Sequence, residues 1–346
     1  MMSKTVSAAI VTYNRLELLK ESLAAVLAQS DYLSHVIVVN NKSTDGTAEY
    51  LDQLDDPRLV IYNSPDNLGG AGGFNQAVKL FANELDDDYI WLMDDDTVVE
   101  PDALKYLVEF MEDHPQTSFV NSQVRWGALD GNPSWMNVTA PRGFTWALNL
   151  DRKNPGVEVV NATFVSVMFS REMVGMVGLP QKEYFIWGDD MEYTNRLADV
   201  YRGYTVINSI AVHKSKENTL PGDIVRERDA SRLWRYRYEY RNRILTARRI
   251  SKKDMFRTFF GIYRHDLPRV MLKRQVAFRF RKIGMVSWGG IRGLFFNPEI
   301  EYAADLQRIK PRSINKLMKN LIKERKAANI KDNLLLDDEI NLIEKG

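Results

Sequence analysis

A chain of 346 residues, 45% hydrophobic and 11% aromatic, has material for one large core or two modest ones, which excludes a disordered protein. Cysteine is absent, so a disulfide framework and thiolate metal sites are excluded as well, in keeping with a reducing compartment. The net charge of +1 conceals an asymmetry: residues 226–282 hold 19 Lys or Arg against 5 Asp or Glu, so that segment carries +14 and the rest −13. No apolar run approaches the roughly 20 residues that span a bilayer, and MMSKTVSAAIVTYNR has no separate signal region ahead of its first strand pattern; a cytoplasmic protein is expected.

In chain order, TVSAAIVTYN predicts a strand, and RLELLKESLAAVLAQ a helix, with Leu16, Leu19, Leu23, Val26 and Leu27 at helical spacing. HVIVVNN predicts a second strand, STDGTAEYLDQL a helix capped by Ser43, and RLVIYNSP a third strand. NLGGAGGFNQAVKLFANEL turns through glycine into another helix, DYIWLMDDD forms a fourth strand, and DALKYLVEF starts a helix after Pro101. This alternation predicts an α/β, doubly wound, mostly parallel sheet with ligands at the carboxyl ends of the strands, where TYNR, NNKSTDGT, NSPDNLGG and DDD all fall. From about residue 117 the pattern loosens. SFVNSQVRW and VVNATFVSVMFSREMVGMVG read as strands and turns with a short helix, YFIWGDDMEYTNRLADVYRGY as a loop leading into a helix, and TVINSIAVHKS as a strand ending at His213. Beyond about residue 224 the chain is basic, aromatic and mainly helical, and residues 310–346 form an amphipathic helical pattern with a mixed-charge face.

Asp94, Asp95 and Asp96 follow the apolar run YIWLM, so they are expected to emerge from a buried strand where ligands bind, although a solvated acidic turn is the simpler alternative. Three crowded carboxylates repel one another unless a cation neutralises them. The first and third of a run point to the same side of an extended strand, which suits a hard cation such as Mg²⁺ or Mn²⁺. The glycine-rich NLGGAGGF matches neither a dinucleotide fingerprint nor a P-loop, which disfavours nicotinamide and ATP enzymes; its glycines are read as letting backbone and a helix N-terminus approach a ligand. A tight helix start without a ligand is the alternative. In FIWGDDMEY, Asp189 is a candidate helix cap, and Asp190 and Glu192 add carboxylates beside Trp187, Tyr184 and Tyr193. Rings beside carboxylates suit a sugar site, and such a carboxylate can deprotonate a hydroxyl as general base. His213, ending its strand, is the third element and a candidate ligand for the same cation.

Taken in order, AAIVTYNR, VIVVNNKSTDGT, NLGGAGGFNQAV, WLMDDDTVVEPDAL, WGDDMEY and VHKS resemble the inverting family 2 glycosyltransferases with a GT-A fold, over roughly residues 4–215. NLGGAGGF together with WGDDMEY most resembles bacterial galactofuranosyltransferases that use UDP-galactofuranose, with rhamnosyltransferases using dTDP-rhamnose next. The resemblance implies a catalytic domain over 1–223, with a nucleotide-sugar half to about 116 and an acceptor half from 117, and a C-terminal region over 224–346. It implies that Thr12, Arg15, Asn40, Asn41, Asn67, Gly69, Gly70, Asp94 and Asp95 bind the donor, and that Asp94, Asp96 and His213 hold Mn²⁺ or Mg²⁺. Asp190 would be the catalytic base, with Trp187, Gly188, Asp189 and Glu192 shaping the acceptor and sugar pocket. Many relatives carry Asp where this chain has Asn40, which leaves the base contact there less defined. The implied reaction is attack of the deprotonated acceptor hydroxyl on the anomeric carbon, with inversion, while the cation stabilises the departing nucleoside diphosphate.

The basic region interleaves Arg with aromatic residues, as in RYRYEYRNR. The resemblance implies a lipid-linked glycan acceptor, so a membrane surface at the inner face of the cell membrane is the expected partner, ahead of plain packing; nucleic acid is not expected, and homo-oligomerisation is possible. A nucleotidyltransferase leaves WGDDMEY unexplained. A sugar-nucleotide or glycan-binding module without catalysis is the alternative of a different class.

Overall fold

The computed structural model describes residues 4–29, 32–142, 153–218 and 222–303; the amphipathic pattern of the tail lies outside them. The strands are β1 (Val6–Thr12), β2 (Leu33–Asn40), β3 (Leu59–Asn63), β4 (Tyr89–Asp94), β5 (Thr97–Val99), β6 (Thr117–Trp126), β7 (Gly156–Val159), β8 (Val167–Ser170) and β9 (Arg202–His213). Between them run α1 (Leu16–Leu27), α2 (Thr47–Leu51), α3 (Gly69–Glu84), α4 (Ala103–Asp113), α5 (Arg171–Val177) and α6 (Asp189–Ala198). The basic region forms α7 (Arg235–Ile250), α8 (Lys252–Gly261), α9 (Leu267–Leu272) and α10 (Arg279–Phe295), with a π-helical turn over Ile262–Asp266.

β1 is buried at every position because helices cover both of its faces, which is why it reads as an unbroken apolar run rather than an alternating one. Ala8 and Ile10 face one core with α1 and α4, whereas Ala9 and Val11 face a second core with α3, α5 and α6. The sheet runs β3-β2-β1-β4-β8-β6-β9-β5, with β7 paired to β9. The first four strands pair in parallel, the expected doubly wound half. β8 then lies antiparallel between β4 and β6, and β6 pairs parallel with β9.

That topology positions the site. β5, a three-residue strand that the sequence reading did not single out, pairs antiparallel with β9 and places Thr97 opposite His213. The Lys214 N–H donates to the Asp96 carbonyl at 2.8 Å, so residues more than a hundred apart in sequence become neighbours.

Two local expectations are corrected. Ser43 does not cap α2; the helix is one turn starting at Thr47, and Gly46 with φ +87 holds the cap position, which favours glycine. The Ser43 hydroxyl instead accepts the Asn14 N–H at 3.0 Å, and the loops after β1 and β2 are laced further by Thr44 N–H to Asn14 Oδ1 at 2.7 Å. The aspartates do not continue an extended strand either. Asp94 ends β4, and Asp95 and Asp96 form a turn into β5.

The helices of the basic region have their own core of Leu233, Tyr236, Tyr240, Ile244, Ile262, Val270 and Val286, and Trp187 packs against it. Lys282 is fully buried there, its ammonium donating to the carbonyls of Val225 and Glu227 and so fixing the segment ahead of α7.

Candidate active site

The aspartate turn is organised by what neutralises it. Asp95 accepts the Thr12 hydroxyl at 2.9 Å, the Tyr13 N–H at 3.3 Å and the Arg15 guanidinium at 3.1 Å. The same Arg15 nitrogen reaches Asp96 at 2.8 Å. Thr12 and Arg15 therefore hold the turn, and their polar atoms are turned to carboxylates. Even so, burial pushes the Asp95 carboxyl up to about 6 against the pull of Arg15. Asp94, whose side chain has no such partner, is raised well above the carboxylate range by burial and then by the charges of Asp96 and Asp95.

Asp96 Oδ1 is buried with no hydrogen-bond partner, and His213 Nε2 stands 3.3 Å from it as an ion-pair contact. Asn137, in a short 3₁₀ turn of the segment after β6, was not singled out by the sequence, yet it sets the state of that imidazole. Its Nδ2 donates to Thr163 at 2.8 Å while its Oδ1 accepts the Ser134 hydroxyl at 2.6 Å, so the amide oxygen is the atom 2.9 Å from His213 Nδ1. His213 Nδ1 must then carry hydrogen, and Nε2 is directed at Asp96. Burial alone would pull the imidazole down, but Asp96 holds it above its ordinary value. An orphaned carboxylate oxygen and an imidazole nitrogen facing it across 3.3 Å fit the donor set of a divalent cation. Among the described residues, however, no three His, Cys, Asp or Glu side chains are gathered closely enough to hold a metal ion. Asp96 and His213 meet, and Asp94 is not drawn in with them.

The glycines of NLGGAGGF divide their work. A Cβ at Gly73 would lie 2.4 Å from Val11, so this glycine lets α3 sit on β1. A Cβ at Gly69, whose φ is +71, would lie 2.1 Å from the Phe185 carbonyl oxygen, which accepts the Ala71 N–H at 3.3 Å. A Cβ at Gly72 would meet Leu68 at 2.6 Å, whereas Gly70 faces open space and so is the one of the four glycines whose openness suits a ligand. Asn41 fastens this start of α3, donating to the Gly69 carbonyl at 3.0 Å and accepting the Leu68 N–H at 2.8 Å; Asn67 Oδ1 accepts the Gly69 N–H at 2.9 Å. Asn40 donates to Asn63 at 2.8 Å and accepts the Ser43 N–H at 3.0 Å.

The second acidic cluster starts α6. Gly188, with φ +89, occupies the cap position that Asp189 was read to fill, and Asp189 is the first helical residue. Asp190 Oδ1 accepts the Met191 N–H at 2.7 Å; its carboxyl, only partly exposed, is pushed by burial up to about 6. Asp189 is buried and raised further, because the charge of Asp190 adds to desolvation. Glu192, 1% exposed, pairs with Arg196 at 2.8 Å inside the fold, so its charge faces the core rather than the cleft. Tyr184 and Tyr193 are also fully buried, leaving Phe185 and Trp187 as the partly exposed rings of the motif. Trp187 meets Tyr236 edge-on at 5.3 Å, with the Arg235 guanidinium 6.0 Å from its ring centre. Arg235 lies within electrostatic reach of Arg15, a convergence that sequence spacing does not reveal.

Residues 7–174 match the family model described as Glycosyl transferase family 2. The chain is 31% identical over 204 residues to the galactofuranosyltransferase GlfT1 of Mycolicibacterium smegmatis, covering 56% of this chain and 66% of that one. It is 29% identical over 135 residues to poly-beta-1,6-N-acetyl-D-glucosamine synthase of Staphylococcus aureus, covering 39% of this chain and 30% of that one. Among solved structures, GalNAc-T7 with UDP, GalNAc and Mn²⁺ superposes with a TM-score of 0.57 at 14% identity, over 82% of this chain and 55% of that one. S. aureus TarS 1-349 does so with a TM-score of 0.52 at 15% identity, over 93% and 92%. The fold is that of these glycosyltransferases.

The glycine contacts predict opposite outcomes for neighbouring positions. Gly69→Ala, strained in φ and driven into a backbone oxygen, is expected to cost about 1–3 kcal/mol and lower the thermal midpoint. Gly70→Ala, in open space at the first turn of α3, is expected to hold or raise the midpoint, by about 0.5–1 kcal/mol at most. Differential scanning calorimetry of the two variants checks the contrast.

Proposed function

We propose, on the premise that residues 7–174 are a Glycosyl transferase family 2 domain, that this chain is a metal-dependent inverting glycosyltransferase of cell-surface polysaccharide synthesis. It moves galactofuranose from UDP-galactofuranose onto a lipid-linked glycan acceptor. The observation that carries the reading is the contact between the start of α3 and the Phe185 carbonyl, which joins the glycine-rich helix to the loop leading into α6 and Asp190. The 31% identity to a galactofuranosyltransferase supports the choice of donor.

In this reading Asp94, Asp96 and His213 would hold Mn²⁺ or Mg²⁺ once Asp94 turns toward the other two, and the ion would supply positive charge to the departing diphosphate. Arg15 and Thr12 keep Asp95 and the turn in place. Asn40, Asn41, Asn67, Gly69 and Gly70 shape the nucleotide side, and Trp187, Gly188 and Asp189 shape the sugar side. Asp190 keeps one oxygen on the Met191 N–H and offers the other to the acceptor hydroxyl, taking its proton as that oxygen attacks the anomeric carbon.

No helix among the described residues is long and apolar enough to cross a membrane. The basic region nevertheless exposes ten of the fifteen large hydrophobic side chains most open to solvent among those residues, Leu272, Phe280 and Phe295 each by 80% or more. Cationic side chains interleaved with exposed rings fit an anionic lipid surface, where a lipid-linked acceptor would be met.

Three outcomes follow. With Mn²⁺ and acceptor lipid in anionic vesicles, UDP release from UDP-galactofuranose is expected to exceed nucleotide release from dTDP-rhamnose and to stop with EDTA; the reverse donor preference would install the rhamnosyltransferase reading, and EDTA-resistant turnover would remove the metal. Asp190→Asn is expected to lower turnover about 10²- to 10⁴-fold with donor binding retained, and activity of the unaltered protein should rise as pH increases through about 6, because only the ionised Asp190 accepts a proton. A non-catalytic binding module would be indifferent to the substitution. Asn137→Leu, which removes the oxygen holding His213 Nδ1, is expected to weaken Mn²⁺ binding about 10- to 100-fold in calorimetric titration with UDP present; unchanged affinity would separate His213 from the cation.

A further inference from the structure

The loop that delivers Asp190 has an uncommon backbone. Phe185, Trp187 and Gly188 all have positive φ, at +63, +65 and +89, and two of the three are bulky aromatic residues that do not adopt such angles unaided. Its own hydrogen bonds are those of a single tight turn, from the N–H groups of Tyr184, Phe185 and Ile186 to carbonyls two or three residues back. Within the turn only the Tyr184 carbonyl among the last residues gains a donor, the Ile186 N–H; those of Glu183, Ile186 and Trp187 must find donors elsewhere.

They find them on α7, in the stretch RYRYEYRNR that no catalytic role has absorbed. The two N–H donors of Asn242, 1% exposed, are shared among three carbonyls: Tyr184 at 3.0 Å, Ile186 at 3.0 Å and Trp187 at 2.8 Å from Nδ2. Arg241 donates to the carbonyls of Glu183 at 2.5 Å and Tyr184 at 3.2 Å. Arg241 also grips Asn242 Oδ1, from Nε at 3.0 Å and Nη2 at 2.8 Å. With its oxygen held by two guanidinium N–H groups, the Asn242 amide has one sensible orientation, NH₂ toward the loop. The rings of the stretch complete the seat: Tyr238 stacks on Phe185 at 5.2 Å and Tyr236 meets Trp187 at 5.3 Å. From the other side, the Ala71 N–H takes the Phe185 carbonyl.

We propose that Asn242, oriented by Arg241, is the positioning residue for Asp190: it gathers three carbonyls of the preceding loop into the geometry that starts α6 with Asp190 at the edge of the cleft. The basic region is thereby part of the catalytic apparatus, supplying the donors without which the loop relaxes. This rests on the reading of Asp190 as the acceptor-activating base.

The test compares Asn242→Leu with Asp190→Asn in the full chain, reading kcat, donor affinity by titration with UDP, and the acid limb of the pH–rate profile. Asn242→Leu keeps the volume and removes both N–H donors. The expected result is a fall in kcat of about 10- to 100-fold, as a small displacement of the reacting groups produces, with UDP affinity unchanged. The acid limb should move to lower pH, because a loosened loop hydrates Asp190 and relieves the burial that raises it. If kcat per folded molecule and the acid limb both stay at the unaltered values while Asp190→Asn is inactive, Asn242 is merely structural and the proposal is overturned. If Asp190→Asn retains turnover, the base itself is misassigned and the proposal falls with it. Should Asn242→Leu not fold, Arg241→Met leaves Asn242 in place but frees its amide to turn; the same signature at smaller amplitude is expected, and its absence counts against the proposal equally.

Discussion

The like charge of Asp94, Asp95 and Asp96 at the carboxyl end of β4 is the constraint around which the rest of the molecule is arranged. Two unit charges about 4 Å apart repel by about 1 kcal/mol in water and by about 4 kcal/mol at the effective dielectric of a protein surface, so three in a partly buried turn need compensation from several directions. Arg15 supplies it from the loop after β1, with one nitrogen bonding two of the three. Thr12 and the Tyr13 N–H supply more, and His213 comes from the far end of β9. Asp94 feels Arg15 and His213 only at a distance, and burial with the charges of Asp96 and Asp95 outweighs them, so its carboxyl is raised.

The sheet topology is what brings those partners together. β5 is only three residues long, yet pairing with the end of β9 seats His213 beside Asp96 and draws Lys214 onto the Asp96 carbonyl. The second acidic cluster arrives by a different route. Its loop is trapped between the N-terminus of α3, where Gly69 admits the Phe185 carbonyl, and α7, where Asn242 and Arg241 collect the remaining carbonyls. A cation-compatible turn and an ionisable carboxylate with a raised pKa thus sit on elements held by the same glycine-rich helix, which is the arrangement a group transfer needs.

Much of this was legible in the sequence. Strands buried on both faces write continuous apolar runs, so β1, β2 and β4 stand out, and the polar clusters at strand ends are where the sequence reading looked for ligands. What escaped is what depends on contacts between distant segments. Ser43 looked like a helix cap, but its hydroxyl is taken by Asn14 of another loop, and a glycine with positive φ starts the helix instead. Glu192, Tyr184 and Tyr193 looked like pocket residues by proximity to Asp190, but helical periodicity and the loop geometry turn them inward. Asn137 and Asn242 have no local signature at all; an isolated Asn among apolar and charged neighbours acquires meaning only when the fold shows which carbonyls, hydroxyls and imidazole it serves.

The central claim, that the aspartate turn and His213 form one cation site on the donor side, is tested most directly by crystallography of the protein with UDP and Mn²⁺, using the anomalous signal of manganese. The account predicts a single strong peak between Asp96 and His213, with Asp94 turned toward it and the diphosphate on its open side. UDP bound without a manganese peak there, or a peak at another cluster, would contradict it.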